Sequence, residues 1–507
     1  MYRSPIDPAP LDGFKPSAHL ELLRHTLSAE PPPQERRVFV NRTLRMEKIA
    51  HVGFDLDWTL ADYDQTAMSR LAFELTLDRL VEQFDYPRAV LEAEFRSDFC
   101  RRGLILDTAE GTVLKMNRHR YVGRAYHGRE FLNAEERGHL YRREPINPAS
   151  SRFYFVDTLF ELPEVNIFSE LIDLSRRAPE RLRLESYAKL FQDTRRAIDS
   201  IHADGSLKRT VLADLDHYLP RDQQLVLALE RLALRGRRLI LITNSEWFYT
   251  DGLCRQLFEN WSHGVDRWRD MFDLVIVDAR KPGFFKKSKP FVRLAEDGTP
   301  QEEVDVPDWG GVYAGGSREG LMQLLDVPGE QVLYVGDHIY GDVLSSKLSS
   351  TWRTALVVSE LEDELRVRKR LESQLRHMDV LRSELADLGL QMDSLHDVFR
   401  LADQIDRDGV DPSEIPTLSE VQTQLKTLRT EHKAMRQHAA RLQSRISRSV
   451  NPYWGSLFKQ GSNKSLFGSQ VDDFACIYAS AVRNLAHYGS HHYFRVTADW
   501  MMHEVEV

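Results

Sequence analysis

The stretch HVGFDLDWTLADYD, residues 51–64, sets Asp55 and Asp57 one residue apart at the end of an apolar run. At that spacing one carboxylate can attack an electrophilic centre such as phosphorus while the other, its pKa adjusted by its neighbours, carries protons. Three further pieces supply what such an attack needs. In TNS (243–245) the Thr243 hydroxyl, with the backbone of Asn244 and Ser245, suits phosphoryl oxygens, and Lys281 suits the charge shared by nucleophile and phosphate. Asp337 and Asp342, in GDHIYGD (336–342), join Asp55 and Asp57 as hard oxygen ligands for Mg²⁺, an ion that readily shares itself with phosphate. Taken alone, each piece reads as a turn, a helix cap or a solvated charge. Their order along the chain, each at the close of an apolar run, favours the chemical reading.

Those runs are HVGFDLD (51–57), RLILITNS (238–245), FDLVIVDARK (272–281) and QVLYVGDH (331–338). Continuous Val/Ile/Leu runs bounded by turn signals suit strands buried on both faces of a parallel sheet. Helix-like stretches at 222–236 and 317–327 precede the second and fourth runs, so the expected class is α/β, a doubly wound parallel sheet. Sites in such sheets lie beyond the carboxyl ends of the strands. Asp55 and Asp57 then face a cleft holding a metal ion and a dianion, and escape the cost of an unpaired buried charge.

Between the first and second runs lie roughly 160 residues more than a simple crossover uses. The expected organisation is an N-terminal segment 1–46, a catalytic core 47–65 plus 225–360, an inserted α+β cap 66–224 and a C-terminal segment 451–507 packing back on the core. Residues 361–450 read as a long helical pair: Leu371, Leu375, Met378, Leu381, Leu385, Leu388, Met392, Leu395 and Phe399 recur by threes and fours. Leu418, Val421, Leu425, Leu428, Met435, Ala439, Leu442 and Ile446 repeat the spacing, with a break at 406–416. The expected arrangement is two antiparallel helices forming a hairpin within the chain, with a dimerisation arm as the alternative that spacing alone leaves open.

The chain of 507 residues carries 68 Lys and Arg against 77 Asp and Glu, a net charge of −9 with no basic tract, which argues against a nucleic acid polymer as partner. Cys100, Cys254 and Cys476 are far apart and suit buried structural thiols in a reducing compartment. No uncharged apolar run approaches the ~18 residues of a membrane span, and the expected location is cytoplasmic.

The four motifs DLDWT, ITNS, Lys281 and GDHIYGD resemble those of the haloacid dehalogenase superfamily of aspartate-nucleophile phosphotransferases. More narrowly, FDLDWTLADY, ITNSEWFYTD, FDLVIVDARKPGFF and LYVGDHIYGDVLSSK are similar to the cytosolic purine 5′-nucleotidase family and its bacterial relatives. The likeness continues through DTLFELPE, FQDTRRAIDSIHADGSLK and WGSLFKQGSNKSLFGSQVDDFACIYAS. The resemblance implies that Asp55 attacks the phosphate of a purine nucleoside 5′-monophosphate of the IMP or GMP type. Asp57 would protonate the leaving ribose oxygen and later activate water. Mg²⁺ would be held by Asp55, the Asp57 backbone carbonyl and Asp337, with Asp342 behind. It further implies possible transfer of the phosphoryl group to a second nucleoside, and a homo-oligomer, dimer or tetramer.

In the cap, Arg195, Asp199 and His202 are separated by four and three residues and share a helical face, with Lys208 shortly after. The resemblance implies that Arg195 and Asp199 meet the base edge, Lys208 the phosphate, and that Phe160 and His202 sandwich the ring. Two departures from vertebrate members stand out. Ala203 replaces an aromatic, and Asp157 stands at an amide position used for an activating nucleotide, where a carboxylate repels phosphates. The competing readings are a phosphatase of the same chemistry acting on a sugar phosphate, and a non-catalytic interaction protein presenting its helical pair.

Overall fold

The structure, a computed structural model, describes residues 31–142, 146–147, 150–234, 236–259, 265–344, 351–408 and 418–496. Its centre is a sheet of ten strands, numbered here along the chain: β1 Phe39–Val40, β2 His51–Phe54, β3 Arg238–Ile242, β4 Leu274–Val277, β5 Phe291–Leu294, β6 Pro300–Val304, β7 Val312–Gly315, β8 Val332–Gly336, β9 Arg353–Val357 and β10 Ile477–Ala479. Their order across the sheet is β1-β10-β9-β8-β2-β3-β4-β7-β5-β6. From β10 to β7 every pairing is parallel, and antiparallel strands close both edges. The fold is therefore mixed α/β with a mainly parallel sheet.

The four apolar runs of the sequence become β2, β3, β4 and β8, adjacent in the order β8-β2-β3-β4. Every residue of β2, β4 and β8 is buried, as expected of strands covered on both faces. Helix Gln223–Ala233 precedes β3, capped by the Asp222 side chain on the Gln224 N–H. Helix Arg318–Leu325, capped by Ser317, precedes β8. Strand β2 stops at Phe54, before the aspartates. The chain then turns sharply, the Leu56 carbonyl accepting from the N–H groups of Thr59, Leu60 and Ala61, while Trp58 takes a left-handed φ of +57°.

The segment between β2 and β3 contains helices Gln65–Gln83, Leu162–Arg177, Tyr187–Ala203 and Ser206–Ala213, with a five-stranded antiparallel sheet formed within residues 105–155. Helix Tyr187–Ala203 starts at a Ser186 cap and buries Leu190, Thr194, Ala197, Ile198 and Ile201, a three-and-four spacing that turns one face inward. Ile201 packs with Ala72 and Leu207. These residues belong to one compact unit with the large sheet, a unit that runs to Glu362 and resumes at Leu457.

A second unit covers Asp363 to Ser456. Its helices Glu372–Asp408 and Leu418–Val450 pack on one another within the chain through Met378, Leu381, Leu442 and Ile446, with Leu371, Leu375, Met435 and Ala439 beside them. Most of the break expected at 406–416 lies outside the described residues. The three cysteines are free and buried, and no helix among the described residues is long and apolar enough to cross a membrane.

Candidate active site

The chain arranges its polar groups at the carboxyl ends of the four adjacent strands. Asp55 follows β2 and Asp337 follows β8, while Thr243 follows β3 with its Oγ1 accepting from the Ser245 N–H at 3.0 Å. Lys281 stands four residues beyond β4. There the Asn244 side chain braces it on both sides: the Lys281 N–H donates to Asn244 Oδ1 at 2.6 Å, and Asn244 Nδ2 donates to the Lys281 carbonyl at 3.1 Å. Asn244 thus acts in this geometry by holding Lys281.

Lys281 is the centre of the charge pattern. Its Nζ lies 2.8 Å from Asp55 Oδ1, 2.8 Å from Asp342 Oδ1 and 2.9 Å from the Tyr334 hydroxyl. Burial alone would lower the pKa of this ammonium, but Asp342 and Asp55 outweigh it and hold the value well above the ordinary one. Asp55 has the opposite balance. Burial, helped by Asp342 and Asp57, pushes its carboxyl up to about 7 against the pull of Lys281. Asp337 is likewise held well above its ordinary value by burial, with Arg102 opposing.

Carboxylate oxygens of Asp55, Asp337 and Asp342 lie within 4.8 Å of one another, and all three residues are buried. Asp337 Oδ2 has no hydrogen-bond partner among the described residues. Three converging buried carboxylates, one with an orphaned oxygen, fit a hard divalent cation better than they fit each other. Asp342 arrives on a π-helical turn, Ile339–Leu344, in which the His338 carbonyl accepts from both Asp342 and Val343. Gly336 makes room for it, since a Cβ there would sit 2.4 Å from Asp342 Oδ2.

The Asp57 side chain turns away from this cluster. Its Oδ1 accepts from the Tyr63 hydroxyl at 2.7 Å and its Oδ2 from Ser245 Oγ at 2.7 Å. The Tyr63 and Tyr249 hydroxyls lie 3.0 Å apart. The Asp57 carboxylate is thus not among the three that converge, and the expectation for Asp57 as a metal ligand concerns its backbone carbonyl.

The cap residues divide. Phe160 meets Trp58 of the turn after β2 at a ring separation of 5.7 Å and His202 at 5.7 Å, the latter at an interplanar angle of 87°. Phe160 and His202 thus touch edge to face, the arrangement ring quadrupoles favour, instead of standing parallel with a base-wide gap. Lys208 pairs with Glu246 and sits 5.5 Å over the Tyr249 ring. Burial and Lys208 lower the His202 imidazole below its ordinary value, with Asp199 and Asp57 opposing. Arg195 is engaged elsewhere, donating to Glu164 and to the Tyr154 hydroxyl, and only its Nη2, 3.7 Å from Asp199 Oδ1, leans toward the exposed Asp199. Burial and Glu161 push the Asp157 carboxyl up to about 7, which weakens the phosphate repulsion expected of it.

Several groups at the site carry no isolated sequence signal: Tyr63, Tyr249, Tyr334, Arg102 and Glu360. Arg102, in the inserted segment, is fully buried, donates Nη1 to the Asp337 carbonyl at 2.8 Å and forms a two-pronged pair with Glu360. A contact spanning 258 residues of sequence is invisible to local pattern.

The chain is similar to known proteins along most of its length. The model of the 5′ nucleotidase family matches residues 38–506. A 5′-nucleotidase domain-containing protein of Dictyostelium discoideum is 28% identical over 469 residues, spanning 91% of this chain and 74% of that protein. The human 5′-nucleotidase domain-containing protein 2 is 32% identical over 344 residues, 65% of this chain and 64% of its own length.

Proposed function

Because the chain belongs to the 5′-nucleotidase family, we propose that it is a Mg²⁺-dependent 5′-nucleotidase, built on a haloacid dehalogenase-type core, that removes phosphate from purine nucleoside 5′-monophosphates of the IMP and GMP type. Membership itself supports a phosphatase or nucleotidase activity. The observation that carries the finer reading is the meeting of Asp55, Lys281, Asp337 and Asp342 in one buried cluster, with Asp57 held just outside it.

Asp55 attacks phosphorus, forming an acyl phosphate on its carboxylate as the bond from phosphorus to the ribose oxygen breaks, and Lys281 neutralises charge spread over nucleophile and phosphate. Thr243 and the following backbone face the phosphoryl oxygens. Asp57, positioned by Tyr63 and Ser245, gives a proton to the departing ribose oxygen, then takes one from the water that cleaves the acyl phosphate. A second nucleoside replacing that water gives phosphotransfer. Asp55, Asp337, Asp342 and the Asp57 carbonyl would hold the cation, which when bound supplies charge stabilisation to the phosphoryl oxygens. Phe160 and His202 would reorient to stack on the base, Arg195 and Asp199 would read its edge, and Lys208 would meet the phosphate. Arg195's engagement with Glu164 and Tyr154 favours a second reading, a phosphatase for a smaller phosphoester such as a sugar phosphate.

The test is phosphate release with Mg²⁺ from IMP, GMP, AMP, UMP and ribose 5-phosphate, beside an Asp55→Asn variant. IMP and GMP should lead, and the variant should lose at least about 10³-fold in kcat. Equal turnover of UMP or the sugar phosphate would defeat the purine reading, and a fully active variant would defeat the mechanism. The family resemblance also supports a homo-oligomer of two or four chains, and a monomeric mass by light scattering would refute that.

A further inference from the structure

Trp58 stands between the two carboxylates' turn and the cap, and two of its features are costly. It is a bulky residue with a φ of +57°, a region that favours glycine or asparagine. It is also only 4% exposed, yet its indole N–H has no acceptor among the described residues. A buried donor left unmet loses its hydration with nothing in return, so an acceptor from outside the chain is the natural complement.

Its ring contacts place the indole between two parts of the site. One ring contact is to Tyr63, 5.1 Å away, whose hydroxyl holds the Asp57 carboxylate. The other is to Phe160, 5.7 Å away, which leads to His202. The indole therefore bridges the phosphate-handling turn and the aromatic pair of the cap. In a nucleoside monophosphate the group between phosphate and base is the sugar.

We propose that Trp58 is a specificity-determining residue whose indole N–H donates to a sugar oxygen of the substrate, so that the site recognises a pentose 5-phosphate unit as well as a phosphoryl group. The inference rests on the nucleotidase reading and adds the sugar to what that site recognises.

The test compares kcat/KM for GMP, ribose 5-phosphate and p-nitrophenyl phosphate, with Mg²⁺, in the wild type and in Trp58→Phe, which removes the N–H but keeps an aromatic ring. The ratio of either sugar phosphate to p-nitrophenyl phosphate should fall about tenfold, the value of one lost hydrogen bond. Equal losses on all three substrates, or a loss confined to GMP, would overturn the proposal, because the contact would then be to phosphate or structure in the first case and to the base in the second. Should Trp58→Phe not fold, ¹⁵N-indole spectra of the Asp55→Asn protein carry the question. One indole signal should then shift with GMP and with ribose 5-phosphate but not with inorganic phosphate, and no such signal would refute the assignment. Failure of the nucleotidase reading looks different: the wild type itself would then leave GMP intact.

Discussion

Asp55 and Asp57 are neighbours but one in sequence, and their side chains work in different surroundings. Asp57 is fixed by two hydroxyl donors, Tyr63 and Ser245. Asp55 shares one ammonium with Asp342 in a water-poor cluster, and burial drives its carboxyl from an ordinary 3.8 up to about 7. The sign for stability follows. Because folding raises this pKa, the neutral form is favoured by the fold, and Asp55's contribution is present below about pH 4 and lost as pH rises through about 7. Asp337, also raised by burial, acts in the same sense, while Lys281 stays charged throughout that window. The chelated protein should therefore lose thermal stability between about pH 5 and pH 8, and saturating Mg²⁺ should restore it by binding the ionised carboxylates. A Tm that ignores Mg²⁺ at pH 8 would count against a metal-holding cluster.

At the scale of elements, strand ends and turns decide which groups meet. The carboxyl end of β8 delivers Asp337 directly and Asp342 after one π-helical turn, which widens the backbone enough to bring Asp342 back over Gly336. Adding a methyl at Gly336 would place it 2.4 Å from Asp342 Oδ2 and 2.6 Å from its Cγ, so something must move. Gly336→Ala should fold, lose at least about tenfold in kcat and bind Mg²⁺ more weakly, as expected for an approximately ångström-scale displacement of a positioned group. Isothermal titration of Mg²⁺ beside a steady-state assay checks this, and unchanged values in both would show that Asp342 is peripheral.

At the scale of the chain, the inserted segment does more than cover the sheet. Arg102 reaches from it to the Asp337 carbonyl and to Glu360, so a strand end, a helix start and the insertion are closed around one guanidinium. Its planar fork matches the Glu360 carboxylate, and burial holds the pair away from solvent. Arg102→Met keeps much of the volume but leaves Glu360 buried without its partner, a change that costs about 3–5 kcal/mol. Denaturant unfolding should register that loss, with a weaker Mg²⁺ response because Asp337 is freed. Stability within about 0.5 kcal/mol of wild type would mean the pair contributes nothing net.

The sequence by itself determined the parts that depend on local pattern. Largely apolar runs marked β2, β3, β4 and β8, and the polar residues at their ends marked the cluster, because a parallel sheet buries its strands and exposes their carboxyl ends. Helical spacing likewise marked the pair 372–408 and 418–450, though not whether they pack on each other. The antiparallel edge strands β1, β5 and β6 and the sheet within 105–155 were not legible, being short segments whose partners are remote. Only the tertiary structure decided that Asn244 braces Lys281, that Asp57 turns from the metal-type cluster toward Tyr63 and Ser245, and that Arg102 meets Asp337. Those choices rest on distances between groups far apart in the chain, and no periodicity in a linear string encodes them.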